Sequence, residues 1–220
     1  MVVTFVLKVN VPSEFTIEQY KEKLEKRLET LKPDKISSFQ VQTIVYQPTS
    51  QQTVVSVHQI LHSEYPANCF SVLDQLQQND STKVLTGDIG LASIQRRLCE
   101  LGVFSEKKQL NMECIGTSYK LGDFQLKIGA VIYAGTNRGL ICEISYTLGN
   151  TNSDTWGIIN EFLQSVLEWN LNEKSQFGGN LDQLTQYVRK KPHIAPYCPE
   201  DIILQYFELF NNYRSANIGK

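Results

Sequence analysis

With 220 residues, 25.1 kDa and 41% hydrophobic residues, the chain has the size of one ordinary domain. Roughly 70% of its unfolded surface is expected to disappear on folding, which excludes collagen-like, disordered and staple-dependent mini-protein classes. Its 21 basic residues against 23 acidic ones leave a formal net charge of -2, with no positive surplus to neutralise phosphates, so autonomous binding to DNA or RNA is disfavoured.

In chain order, Val2 to Val9 is rich in β-branched residues and reads as a strand. That opening stretch is interrupted by Lys8 and is followed by no small-residue cleavage site, so neither a signal peptide nor an anchor is expected. Thr16 with Gln19 then makes a capping-box pattern. Ile17, Tyr20, Leu24, Leu28 and Leu31 recur at helical spacing up to Pro33, and the opposite face interleaves Lys and Glu as a solvated surface does. From Ile36 to Tyr46 the apolar residues alternate, predicting a second strand. Thr53 to Leu61, Cys69 to Asp74 and Lys83 to Thr86 predict three more.

The period changes at Asp88, a candidate N-cap for a helix carrying Ile89, Ala92, Ile94, Leu98 and Leu101 on its apolar face and closed by Gly102. Leu110 to Lys120, Phe124 to Ala134 and Leu140 to Thr147 then read as a three-stranded antiparallel meander, with turns at Leu121 to Asp123 and Gly135 to Gly139. Ser153-Asp154 is a candidate cap for a helix through Trp156, Ile159, Phe162, Leu163, Val166 and Trp169. Residues 172–198 are long, polar and marked by Gly178-Gly179, as an exposed loop is. Pro199 opens a closing helix with Ile203, Tyr206, Phe207, Phe210 and Tyr213.

About eight strands with about four helices do not alternate one for one, so the expected class is antiparallel α+β in a single domain over 1–220. An open sheet of that size leaves two edges. A barrel-like or strongly curved sheet flanked by the helices manages them.

Motifs with chemical content are sparse. Gly135 to Gly139 joins two strands and lacks the Gly-Lys-Ser/Thr ending of a phosphate loop. His58 and His62 stand four apart in a strand, about 13 Å along it, which does not suit one metal ion shared with Cys69. A Cys69 thiolate with a histidine base lacks a third group, and a cysteine beside Phe70 reads as a small hydrophobe. The cysteines Cys69, Cys99, Cys114, Cys142 and Cys198 are odd in number and form no Cys-x-x-Cys pair, so neither a disulfide framework nor structural zinc is signalled, and free thiols suit a reducing compartment. Glu113, Lys127 and Glu143 are the charged residues well inside the meander and read as outward-facing rather than as an acid and base pair. No cofactor is implied. The aromatic residues of the last two helices have core spacing, and such residues on an exposed face would serve as interface anchors; the pattern alone fits both.

Several blocks occur in one order: His62-Ser63-Glu64-Tyr65-Pro66 before Cys69-Phe70, Ile115-Gly116-Thr117-Ser118-Tyr119, Asp123-Phe124 with Leu126-Lys127-Ile128-Gly129, Arg138 through Tyr146, Trp156 with Glu161 to Gln164, and Gln205 to Phe210. Through them the chain resembles the Mediator complex subunit 20 family, also described as TBP-related-factor-proximal protein. The resemblance implies a barrel-like sheet with packed helices and a non-catalytic coactivator scaffold in the Mediator head module. It also implies nuclear location, heterodimerisation with Mediator subunit 18, and indirect contact with the RNA polymerase II machinery, with no direct nucleic acid and no membrane. On that reading the candidate partner-contacting residues are Arg138 in the meander hairpin and Tyr206, Phe207, Phe210 and Tyr213 on the last helix. The competing class is a ligand-binding or metal-dependent barrel enzyme, whose interior would be polar and hollow.

Overall fold

The computed structural model describes residues 2–50, 55–75, 83–149, 152–168 and 198–215. Among them the order is β1 (Val3–Val9), α1 (Ile17–Thr30), β2 (Lys35–Pro48), β3 (Val55–His62), β4 (Asn68–Gln75), β5 (Lys83–Asp88) and α2 (Gly90–Glu100). There follow β6 (Phe104–Glu106), a single 3-10 turn, β7 (Met112–Leu121), β8 (Phe124–Tyr133), β9 (Thr136–Tyr146), α3 (Asn152–Leu167) and α4 (Pro199–Ser215). Trp169 and the expected loop, apart from Cys198, lie outside the described residues.

One antiparallel sheet runs β1-β9-β8-β7-β2-β3-β4-β5, with β6 beside the end of β2. It curls into a half-barrel with helices on both faces, the antiparallel α+β architecture that the element pattern predicts. Among the described residues β1 and β5 do not pair with each other, so the curl stays open.

Local signals placed several boundaries. Thr16 Oγ1 accepts from the Gln19 amide at 3.2 Å while Gln19 returns its side-chain oxygen to the Thr16 N–H at 3.0 Å, the reciprocal cap written in the sequence. Gly102, at φ +74°, follows α2; its N–H reaches Cys99 O and the Val103 N–H reaches Leu98 O, both at 3.0 Å, the paired bonds of a Schellman end. The β8–β9 turn is tighter than predicted. Tyr133 faces Thr136 across Ala134 and Gly135, whose φ values of 50° and 74° match a two-residue hairpin turn. Thr136 to Arg138 therefore belong to β9. Because Val131 faces Gly139 and Ile132 faces Asn137, Arg138 is the extra residue of a β-bulge.

The sheet has two cores. On the convex face, Leu24 and Leu28 of α1 and Ile159, Leu163 and Leu167 of α3 cover Phe5, Leu7, Leu126, Ile128, Leu140, Cys142 and Ile144. On the concave face α4 lies along Val6, Val41, Ile60, Val72, Cys114, Val131 and Ile141. β9 is thus buried on both sides, which is why its apolar residues run almost without a break.

α2 departs from its expected orientation. Ile89, Ile94 and Leu101 are 49%, 57% and 63% exposed, and the one buried residue of the helix is Gln95. The inner stripe is Leu91, Ala92, Gln95, Leu98 and Cys99, with Leu91 lying close against Gly87 of β5. Both stripes have helical spacing, and only the position of the sheet selects between them. Asp88, the expected cap, ends β5 and accepts from the Gly90 N–H at 2.7 Å.

Candidate functional site

The concave face holds a charge cluster made by four separate elements. Lys127 of β8 and Glu143 of β9 are register partners whose side chains, both 1% exposed, point toward α4. Lys127 Nζ lies 2.6 Å from Glu143 Oε1 and 2.5 Å from Glu64 Oε2. The other Glu143 oxygen accepts from the Tyr206 hydroxyl of α4 at 2.8 Å and lies 3.2 Å from His62 Nε2 at the end of β3. The Glu64 N–H donates to His62 Nδ1 at 3.1 Å. An Nδ1 that accepts places the ring proton on Nε2, so neutral His62 donates to Glu143.

Burial by itself would push the Glu143 carboxyl up. The Lys127 ammonium and the His62 hydrogen bond outweigh it and hold the group at about 2, so Glu143 is ionised. Burial likewise pushes the Tyr206 phenol well up, reinforced by the adjacent Glu143 charge, which keeps its proton available for donation.

The outward reading of Lys127 and Glu143 is corrected here. In a strand buried on both faces, every residue is inward to one core or the other, and the charged ones survive because they face each other in register. Glu113, where Gln40 Nε2 donates at 3.2 Å, does remain on the open convex side.

A metal ion would find three ligand atoms, on His62, Glu64 and Glu143, within 4.8 Å of one another. Lys127 Nζ already bridges the two carboxylates, and His62 has both ring nitrogens engaged. The resident cation of the cluster is an ammonium carried by the chain itself. The arrangement binds β3, β8, β9 and α4 together, with Lys127 and Glu143 buried and Glu64 reaching the surface.

His58 and Cys69 stay apart from the cluster and from each other. His58 meets the Phe207 ring edge-on at 4.9 Å between centroids, and burial, with a smaller contribution from Arg214, lowers its pKa to about 3. Cys69 is buried on the opposite face of the sheet, alternating with inward Phe70.

Of the five expected partner-contacting residues, four are interior. Tyr206, Phe207, Phe210 and Tyr213 are 0%, 6%, 0% and 4% exposed, because α4 fills the half-barrel and turns its aromatic face to the sheet. They have no surface to offer while α4 stays docked. Arg138 is exposed, with its guanidinium 5.9 Å from the Tyr133 ring centroid.

Gln205 is a residue that sequence reasoning passed over. Its Oε1 accepts from the Val6 N–H at 2.8 Å and its Nε2 donates to Thr4 O at 3.3 Å, so one side-chain amide occupies the place of a further strand on the β1 edge. At the other edge, α4 touches β5 through Glu200 Oε1, which accepts from Thr86 Oγ1 at 2.6 Å. Beside the cluster a cleft of about 210 Å³ is lined by Gln40, Gln42, His62, Ser63, Tyr65 and Asn68 among others, amide groups together with the imidazole that ends β3 and the phenol that follows it.

A family model described as the TATA-binding related factor (TRF) of subunit 20 of Mediator complex matches residues 1–211. The chain belongs to the Mediator subunit 20 family. Mediator of RNA polymerase II transcription subunit 20 from Homo sapiens is 30% identical over 220 residues, covering 97% of this chain and 95% of that protein. The subunit from Aedes aegypti is 30% identical over 200 residues, covering 87% and 85%. Structural likenesses are looser. A chain of the Schizosaccharomyces pombe Mediator head module aligns at TM-score 0.45 and 11% identity over 75% of this chain and 96% of that one. A conserved hypothetical protein from Pyrococcus furiosus aligns at 0.46 and 14% over 79% and 94%. Membership of the subunit 20 family makes this chain a Mediator subunit. The blocks His62 to Pro66, Arg138 to Tyr146 and Gln205 to Phe210, which carry the resemblance in the sequence, supply His62, Glu143, Gln205 and Tyr206 to the interior just described and Glu64 to its exposed rim.

Proposed function

We propose that this chain is a non-catalytic scaffold subunit of the Mediator head module, acting in the nucleus as a coactivator component through a heterodimer with Mediator subunit 18. Its contact with the RNA polymerase II machinery is indirect. The observation that carries this reading is the family match over almost the entire chain. The filled interior supports it over the barrel-enzyme alternative, since α4 occupies the space a substrate would need and Lys127 the place a metal would take. The exposure of Arg138 on the β8–β9 hairpin supports a partner-contacting role for it, while the α4 aromatics act behind the interface by filling the half-barrel.

Co-expression with Mediator subunit 18, followed by size-exclusion chromatography, tests the proposal. A stable one-to-one complex, also recovered with other head subunits from nuclear extract, is expected. A chain that elutes alone and recovers no Mediator subunit overturns it. Arg138→Ala is expected to weaken the complex without moving the melting temperature; unchanged affinity would remove Arg138 from the interface.

A further inference from the structure

The two ends of the sheet are treated differently by the fold. On β1 the groups facing away from β9 belong to Thr4, Val6 and Lys8, and Gln205, 5% exposed, meets the Val6 N–H and the Thr4 C=O. On β5 the register with β4 identifies the equivalent groups. Ile89 N donates to Ala67 O at 2.9 Å, and the pairing continues as Asn68↔Asp88 through Leu73↔Lys83. In an antiparallel ladder directly opposed pairs alternate between bonded and non-bonded, so Gly87, Leu85 and Lys83 bond to β4 while Val84, Thr86 and Asp88 aim their N–H and C=O groups away from it. Among the described residues β5 ends the strand order, and Leu85, beside this edge, is 53% exposed. No proline interrupts the strand.

We propose that the β5 edge is where the partner chain joins, by adding an extended segment as a further antiparallel strand. Three outward N–H and C=O pairs in a row are complementary to another extended backbone and to little else. The occupant places an aliphatic residue against Leu85 and a basic residue beside Asp88, which is exposed at the strand's end. The curled sheet then continues into the partner, the middle of the opposite edge being occupied from within by Gln205. This rests on the reading of the chain as a heterodimerising Mediator subunit and specifies its mode of contact.

The test compares the wild-type chain with Thr86→Pro and Thr86→Val, each co-expressed with Mediator subunit 18. Both substitutions remove the hydroxyl that donates to Glu200. Only proline also removes the outward N–H, a change that an edge strand tolerates because no bond to β4 is lost. Thr86→Pro is expected to weaken the pair at least tenfold, and Thr86→Val less than twofold. Residue-resolved hydrogen exchange on the wild-type pair provides a reading independent of any variant. Protection should rise at the Val84 and Thr86 amides and stay level at Leu85 and Gly87, which are already bonded to β4. If the pair forms but Thr86→Pro binds as wild type and Val84 and Thr86 gain no protection, strand addition is overturned while the heterodimer stands. If no pair forms with the wild-type chain, both readings fall together.

Discussion

Replacing Lys127 by methionine keeps most of the side-chain stem and deletes the charge that balances Glu143. The carboxylate, 1% exposed, would keep only the His62 and Tyr206 donors. Removing one member of a buried pair costs roughly 3–5 kcal/mol. Titration leads to a similar size: Glu143 is held at about 2 instead of 4.5, a gap worth roughly 3 kcal/mol at about 1.4 kcal/mol per unit. The two routes share the same electrostatics, so their agreement sets an order of magnitude. The pH dependence separates the variant from a merely loosened core. In the wild type the folded value is depressed, so the contribution of Glu143 is complete above about pH 4.5 and is lost as pH falls toward 2. In Lys127→Met burial is no longer outweighed, the folded value rises above the ordinary range, and stability increases as pH falls through it. Adding Glu143→Gln should restore most of the loss and flatten the profile. Urea unfolding followed by tryptophan fluorescence between about pH 3 and pH 8 reads all three proteins. A cost below about 1 kcal/mol at pH 7, or a variant that loses stability on acidification as the wild type does, would refute the reasoning.

Two further outcomes test the role of α4. Gln205→Ala leaves the buried Val6 N–H without its acceptor and should cost about 1–3 kcal/mol, with faster hydrogen exchange at Val6 as the specific signature. Phe210→Ala, at a site 0% exposed in the concave core, should cost about 3–5 kcal/mol by thermal or urea unfolding; a loss below about 1 kcal/mol would argue against the interior placement of α4.

The features legible from the sequence are those whose cause lies within a few residues. The Thr16–Gln19 cap, the Gly102 helix end and the alternation of the meander depend on local hydrogen bonds and on the period of two, so they survived intact. The boundary at Gly135 moved because Ala134 takes a left-handed conformation, which alanine seldom signals. Which face of a helix turns inward is not fixed locally. The Ile94–Leu101 stripe of α2 and the Leu91–Leu98 stripe have equal claims by periodicity, and the aromatic face of α4 suits a core and an interface alike.

By itself the sequence determined the antiparallel α+β class, the start of α1, the end of α2, and, through ordered blocks of residues, the family. Tertiary structure alone decided that the sheet curls without closing, that α4 plugs it, and that Lys127 meets Glu143 in the interior instead of water. The physical reason is distance along the chain. His62, Lys127, Glu143 and Tyr206 lie up to 144 positions apart, and whether a charge at any of them is tolerable depends on a register and a packing direction that no local window contains.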